Sequence, residues 1–194
     1  MTKAEKTRQF IIEKTAPVFN VKGYSGTSMS DLTEVTGLTK GSIYGNFANK
    51  DEVALAAFDY NLLQVTNHIK SELQQQTTAR GKLKVYPKVY RGFLQHPFPI
   101  GGCPILNTAI EADDTHPALR QKACNALLVW KKSLIHTINK GIEAGEFNKY
   151  TDAEQVAVTL MAQIEGGIMI AKLTGKMDYF KKVIEQTEQL IDNL

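Results

Sequence analysis

The chain has 194 residues, 43% of them apolar and 22% charged. That allows one or two domains with a buried core, and excludes a disordered chain or a disulfide-stapled miniprotein. Residues 1–52 hold 7 Lys/Arg against 6 Asp/Glu and residues 53–194 hold 16 against 14, so the net +3 comes from no basic tail and any nucleic-acid function must come from local geometry.

Residues 1–14 show neither an apolar signal segment nor a small-residue cleavage site, so secretion is not expected. The longest apolar stretch, 157–171, is interrupted by Gln163 and Glu165. It falls short of the roughly 20 residues that cross a bilayer, and no membrane partner is expected. Cys103 and Cys124 make no disulfide framework and fit a reducing cytoplasm.

The pattern is helical nearly throughout. Phe10 or Ile11 and then Lys14, Val18 and Val21 recur at three and four, Gly23 ends that helix, and Pro17 predicts a bend in it. Ser28 with Asp31 has capping-box spacing and starts a helix over 30–36, closed by Gly37. Thr39 starts a helix over 40–47, and Asn49 caps another over 50–75. Residues 77–84 are polar, 85–94 are apolar and aromatic, and 96–104 form a loop with three prolines and two glycines. Further helices are predicted over 104–112, from Pro117 past Ile138, from a cap at Thr151 or Asp152 to about 173, and from a cap at Asp178 over 178–193. No strand alternation or repeat is visible. The fold class is all-α, a compact three-helix unit followed by a larger helical bundle.

The helices over 30–36 and 40–47, joined at Gly37-Leu38, make a helix-turn-helix, whose second helix lies in the DNA major groove. Leu32, Val35, Leu38, Ile43 and Phe47 turn inward onto Phe10, Ala16 and Phe19. Gly41 and Gly45 sit inside the second helix, where each costs about 1 kcal/mol relative to alanine. Close approach of the backbone to a phosphate or base edge accounts for them. The candidate DNA-binding residues are Thr27, Ser28, Thr39, Lys40, Gly41, Ser42, Tyr44, Gly45, Asn46 and Lys50. Thr27 and Thr39 stand at helix N-termini, Lys40 and Lys50 supply charge, and Tyr44 is a rigid donor. Asn46 is the candidate for bidentate pairing with adenine. Ser, Thr and Asn at such positions also serve as plain caps.

The run Thr27-Ser28-Met29-Ser30-Asp31-Leu32, then Thr36 through Phe47, then Asn49-Lys50-Asp51-Glu52, resembles the TetR/AcrR family of transcriptional regulators. Ala16, Phe19 and Gly23-Tyr24 match the helix before it. The chain departs from the family pattern at Leu32-Thr33, Thr36 and Gly45-Asn46.

The resemblance implies about nine helices, with a DNA-binding domain over 1–48 and a ligand-binding and dimerisation domain over 49–194. It implies a homodimer formed through 152–173 and 178–193, a palindromic double-stranded DNA operator, and a repressor released by a small molecule. Gly166-Gly167 allows the close helix approach such an interface uses.

Candidate ligand-pocket residues are Tyr86, Tyr90, Phe93, Cys103, Asn107, Glu111, Trp130, Glu165 and Met169, with His136 beside them. Most of these also fit a plain core. Cys103, expected to be the N-cap of the helix at Pro104, is either a low-pKa thiol or a small buried plug. The stretch from Gly101 through Glu111 also resembles a branch of the family that includes electrophile-responsive repressors. The histidines, His68, His96, His116 and His136, have no metal-ligand spacing, and neither a metal nor a cofactor is expected. An all-α enzyme and a dimeric module without DNA are the alternatives. The former lacks a nucleophile–base pair, and its paired carboxylates are limited to the turn Asp113-Asp114.

Overall fold

The computed structural model describes residues 1–93, 98–112 and 115–194. His96 and the Asp113-Asp114 pair lie outside the described residues. Among those described there are nine helices and no strand: α1 (Lys3–Lys22), α2 (Met29–Thr36), α3 (Lys40–Tyr44), α4 (Lys50–Leu73), α5 (Ala79–Arg91), α6 (Pro104–Ala112), α7 (Pro117–Glu143), α8 (Ala153–Thr174) and α9 (Met177–Asp192). They gather into two compact units, Met1–Val65 with Leu94–Cys124, and Thr66–Phe93 with Asn125–Leu194. α4 and α7 each run through both.

Caps explain the boundaries in the first unit. Thr2 and Glu5 form a capping box that starts α1, and Gly23 ends it at φ +73. α1 passes through Pro17. Ser28 and Asp31 form a second box at α2, and Gly37 closes α2 in the left-handed conformation. Lys22 sits 2.6 Å from Asp31. That ammonium, with the Ser28 amide and hydroxyl, holds the Asp31 carboxyl below the ordinary carboxylate range. Ile11, Ala16, Leu32, Ile43 and Phe47 are buried as the spacing predicts. Phe10 and Val35, expected inward, are exposed, since each lies at the margin of its helix's apolar face.

In the second unit α5 was not legible as a helix. Gly81 and Pro87 lie inside it, and both residues weaken a helical reading. Thr78 caps it by accepting the Gly81 N–H. Glu146 accepts the Ala79 and Arg80 N–H groups at 3.0 and 3.1 Å, which lowers the Glu146 carboxyl pKa. α9 packs on both α5 and α8. Its N-cap is Lys176, with Asp178 within its first turn, so the expected Asp178 cap is corrected. α8 is capped by Asp152. It is a 22-residue helix with an 18-residue window of mean hydropathy 1.5, long and apolar enough to cross a membrane by length and composition alone. One face of α8 buries Leu160, Ile164, Ile168 and Ala171, as the core helix of a bundle does.

Candidate DNA-binding surface and helical core

α3 is shorter than the sequence pattern predicts. It ends at Tyr44 with Gly45 as its C-cap, so Asn46 and Phe47 lie beyond it. Thr39 accepts the Ser42 N–H at 3.1 Å and starts the helix. Ile43 is its buried anchor. Lys40, Gly41 and Tyr44 face outward, with the Lys40 ammonium 5.8 Å from the Tyr44 ring centre. A Cβ on Gly41 would meet only the Thr39 hydroxyl, at 4.0 Å, and one on Gly45 would meet carbonyls at 3.4 and 3.5 Å. Crowding within the chain therefore does not require either glycine. The exposed row is small, polar and cationic, and can bring donors to a phosphate or a base edge.

Three expected DNA contacts are engaged inside the protein. Thr27 is buried, and its hydroxyl donates to the Gly23 carbonyl at 2.6 Å. The Lys50 ammonium donates to the carbonyls of Tyr24 and Thr27, each at 2.9 Å, and stands 4.0 Å over the Tyr24 ring. Asn46 turns back, its amide donating to the Ser42 carbonyl at 2.9 Å. In that pose the amide is not presented for bidentate pairing with adenine. Ser28 is exposed but closes the capping box with Asp31. Thr39, Lys40, Gly41, Ser42, Tyr44 and Gly45 remain along the outward edge of α3.

The pocket candidates divide between the two units. Tyr86, Tyr90, Phe93 and Trp130 are buried in the second. Trp130 stacks on Tyr90 with centroids 5.4 Å apart and on Tyr86 at 6.1 Å. Tyr86 pairs with the Ser133 hydroxyl at 3.1 Å, and burial pushes its phenol pKa up. The Trp130 indole N–H is buried without a hydrogen bond, which costs free energy in an apolar surround. Glu165 is half-buried, while Met169 and His136 are exposed. Met169 is therefore corrected to the outer face of α8, where helical phase carries it away from the buried row.

Cys103, Asn107 and Glu111 belong to the first unit. Cys103 is 1% exposed, immediately before α6, whereas Cys124 is exposed. Asn107 and Glu111, expected as ligand contacts, tie α6 to the end of α1 and the turn after it. The Asn107 amide donates to the Asn20 carbonyl at 3.0 Å and to the Gly101 carbonyl at 3.0 Å. Asn20 in turn donates to the carbonyls of Ile100 and Gly102 at 2.8 and 2.9 Å. Glu111 accepts the N–H groups of Tyr24 and Ser25. Beside them is about 30 Å³ of free space, lined by Asn20, Tyr24, Asn61, Asn107 and Glu111 among others. It fits a water molecule and is far below the volume of a drug-sized ligand site.

Sequence reasoning missed a polar group around Tyr24. Its hydroxyl donates to Asp51, and that bond, with burial, pushes its pKa up to about 12. His116 packs edge-on against the Tyr24 ring at 4.5 Å and accepts the Leu119 N–H through Nδ1. No local signal marks the two partners of Tyr24, Asp51 and His116, which lie 27 and 92 positions away. Arg8, whose guanidinium reaches Asn46 and Glu52 across 38 and 44 positions, was missed for the same reason.

Comparison with known proteins supplies the family. Residues 11–57 match the family model described as bacterial regulatory proteins, tetR family. Residues 79–187 match the tetracyclin repressor-like, C-terminal domain. A TetR-family transcriptional regulator from Cytophaga hutchinsonii is 52% identical, with a TM-score of 0.96 over 100% of this chain and 97% of that one. A TetR transcriptional regulator from Chloroflexus aurantiacus is 34% identical, with a TM-score of 0.94 over 99% and 97%. The HTH-type transcriptional regulator TtgR of Pseudomonas putida is 28% identical over 166 residues, 84% of this chain and 79% of that protein. The capped helix-turn-helix, the nine-helix order and matches to both halves agree: this chain belongs to the TetR family and is a DNA-binding transcriptional regulator, not an enzyme.

Proposed function

We propose that the chain is a homodimeric repressor, acting in the cytoplasm and released from a palindromic operator by a small molecule. The observation that carries this reading is the outward edge of α3, where Lys40, Gly41, Ser42 and Tyr44 stand clear of the core on a helix fixed by the Thr39 cap. In this reading residues 1–48 bind DNA and residues 49–194 bind the effector and the second copy. α8 supports dimerisation. Val158, Ala162, Met169 and Leu173 are exposed on it, and Gly166 has open space where a Cβ would stand. These residues follow spacings of four, four, three and four, which is an apolar seam for a partner helix. Two copies would place their α3 helices about 34 to 36 Å apart, one turn of DNA.

The effector reading rests on the C-terminal family match and on the aromatic cluster of Tyr86, Tyr90 and Trp130. Binding that favours another spacing of the α3 pair would release DNA by the difference in affinity between the two states. The test is selection of bound sequences from a random DNA pool, followed by a mobility shift on the selected site with a panel of small molecules. A palindromic site, bound by a dimer and vacated with one member of the panel, supports the proposal. A monomer at micromolar concentration, or a site with no dyad, contradicts it.

A further inference from the structure

α3 has little stiffness of its own. It is five residues long and contains Gly41, and short helices are marginal unless packing holds them. Its C-terminal carbonyls are met by the residues that follow it: the N–H groups of Gly45, Asn46 and Phe47 donate to the Gly41 and Ile43 carbonyls, and the Asn46 amide donates to the Ser42 carbonyl. The pose of α3 therefore depends on how that following segment is held, and a side chain from α1 reaches it. The Arg8 guanidinium donates through Nη1 to the Asn46 carbonyl and through Nη2 to Glu52 Oε1 at 2.6 Å. It lies 3.9 Å over the centre of the Phe47 ring. The second Glu52 oxygen accepts the Ala48 N–H at 2.7 Å. That bond and Arg8 together hold the Glu52 carboxyl below its ordinary pKa. Residues 46, 47 and 48, which follow α3, are thus each held by Arg8 or Glu52.

We propose that Arg8 and Glu52 clasp the segment after α3 and set the pose in which α3 meets the operator, making Arg8 a positioning residue for DNA recognition. The inference rests on α3 being the helix that reads DNA. Both side chains of the pair are more than a third exposed, and an ion pair in water contributes little to stability. The contribution is geometric. A planar guanidinium presents parallel donors to a carbonyl and a carboxylate while stacking on a ring, and a lysine ammonium cannot do all three. The clasp anchors α3 at its end, leaving Lys40 and Tyr44 free.

The test uses the full-length dimer and the variants Arg8→Ala, Arg8→Lys and Glu52→Gln. Each is titrated on the selected operator and on random-sequence DNA at several salt concentrations, below its melting temperature. Positioning predicts that all three variants lose about tenfold in operator affinity, the size of one base-edge contact. Affinity for random DNA and the slope of log K against log salt should stay as in wild type. A direct phosphate contact by Arg8 would instead lower the slope by about 0.9 in Arg8→Ala, on both DNAs, with Arg8→Lys close to wild type. That result overturns the clasp, and so does a lowered melting temperature with unchanged operator affinity. Lys40→Ala, run in parallel, tests whether α3 reads DNA, so failure of that reading appears there and not in the Arg8 series.

Discussion

The Glu111 carboxylate on α6 accepts the backbone N–H of Tyr24, and of Ser25 beside it, each at 2.7 Å. The Gly23 backbone is so close that a Cβ there would stand 2.3 Å from Glu111 Oε2. One side chain therefore fixes the turn between α1 and α2 that leads into the DNA-binding helices. Glu111→Ala removes both acceptors. It should cost about 1 to 3 kcal/mol of stability. Amide hydrogen exchange at Tyr24 and Ser25 should rise while exchange in α9 does not. Glu111→Gln, with one amide oxygen, should fall between. Unchanged exchange at the two amides in Glu111→Ala would show that the turn holds itself.

Lys50 carries the second prediction. Its ammonium is committed to two carbonyls and an aromatic face. Lys50→Met keeps the stem and removes those bonds. The melting temperature should fall, by an amount equal to about 1 to 3 kcal/mol, and the salt slope of DNA binding should change by less than that of Lys40→Ala. A slope lowered by about one, with no loss of stability, would return Lys50 to the phosphate contacts.

What the sequence made legible was local. The Ser28–Asp31 box, the Thr39 cap, Gly37 and the Pro117 start each depend on residues within four positions, and each marks an observed boundary. α5 was missed because Gly81 and Pro87 obscure a periodicity that packing on α9 enforces. α3 was read three residues too long because Phe47 continues the apolar spacing although Gly45 ends the helix. Asn107 and Glu111 were read as pocket residues since their partners, near residue 20, are more than 80 positions away. Side-chain bonds across that separation leave no trace in spacing or composition.

Gly41 separates stability from function. Alanine fits the open space there and favours helix by about 1 kcal/mol. Gly41→Ala should raise the melting temperature and weaken operator binding, because the methyl group stands where DNA approaches. Calorimetry and a binding titration on one preparation decide it. Equal or tighter binding would mean that no backbone approach occurs at this position.

The two thiols differ in access. Cys103 is buried and Cys124 is exposed. In the folded protein Cys124 should be alkylated faster at neutral pH, and denaturant should bring the rates together. Mass spectrometry of the two peptides over time measures this. Faster labelling of Cys103 in the native state would revive the reading of Cys103 as a reactive sensor.

The outward edge of α3 is proposed to read a specific operator. Its most direct test is the affinity of wild type, Lys40→Ala and Tyr44→Ala for the selected operator, across salt concentrations, with folding checked by circular dichroism. Both variants should fold and bind more weakly, with a salt slope about one unit lower for Lys40→Ala. Wild-type affinity and slope in both variants would contradict it.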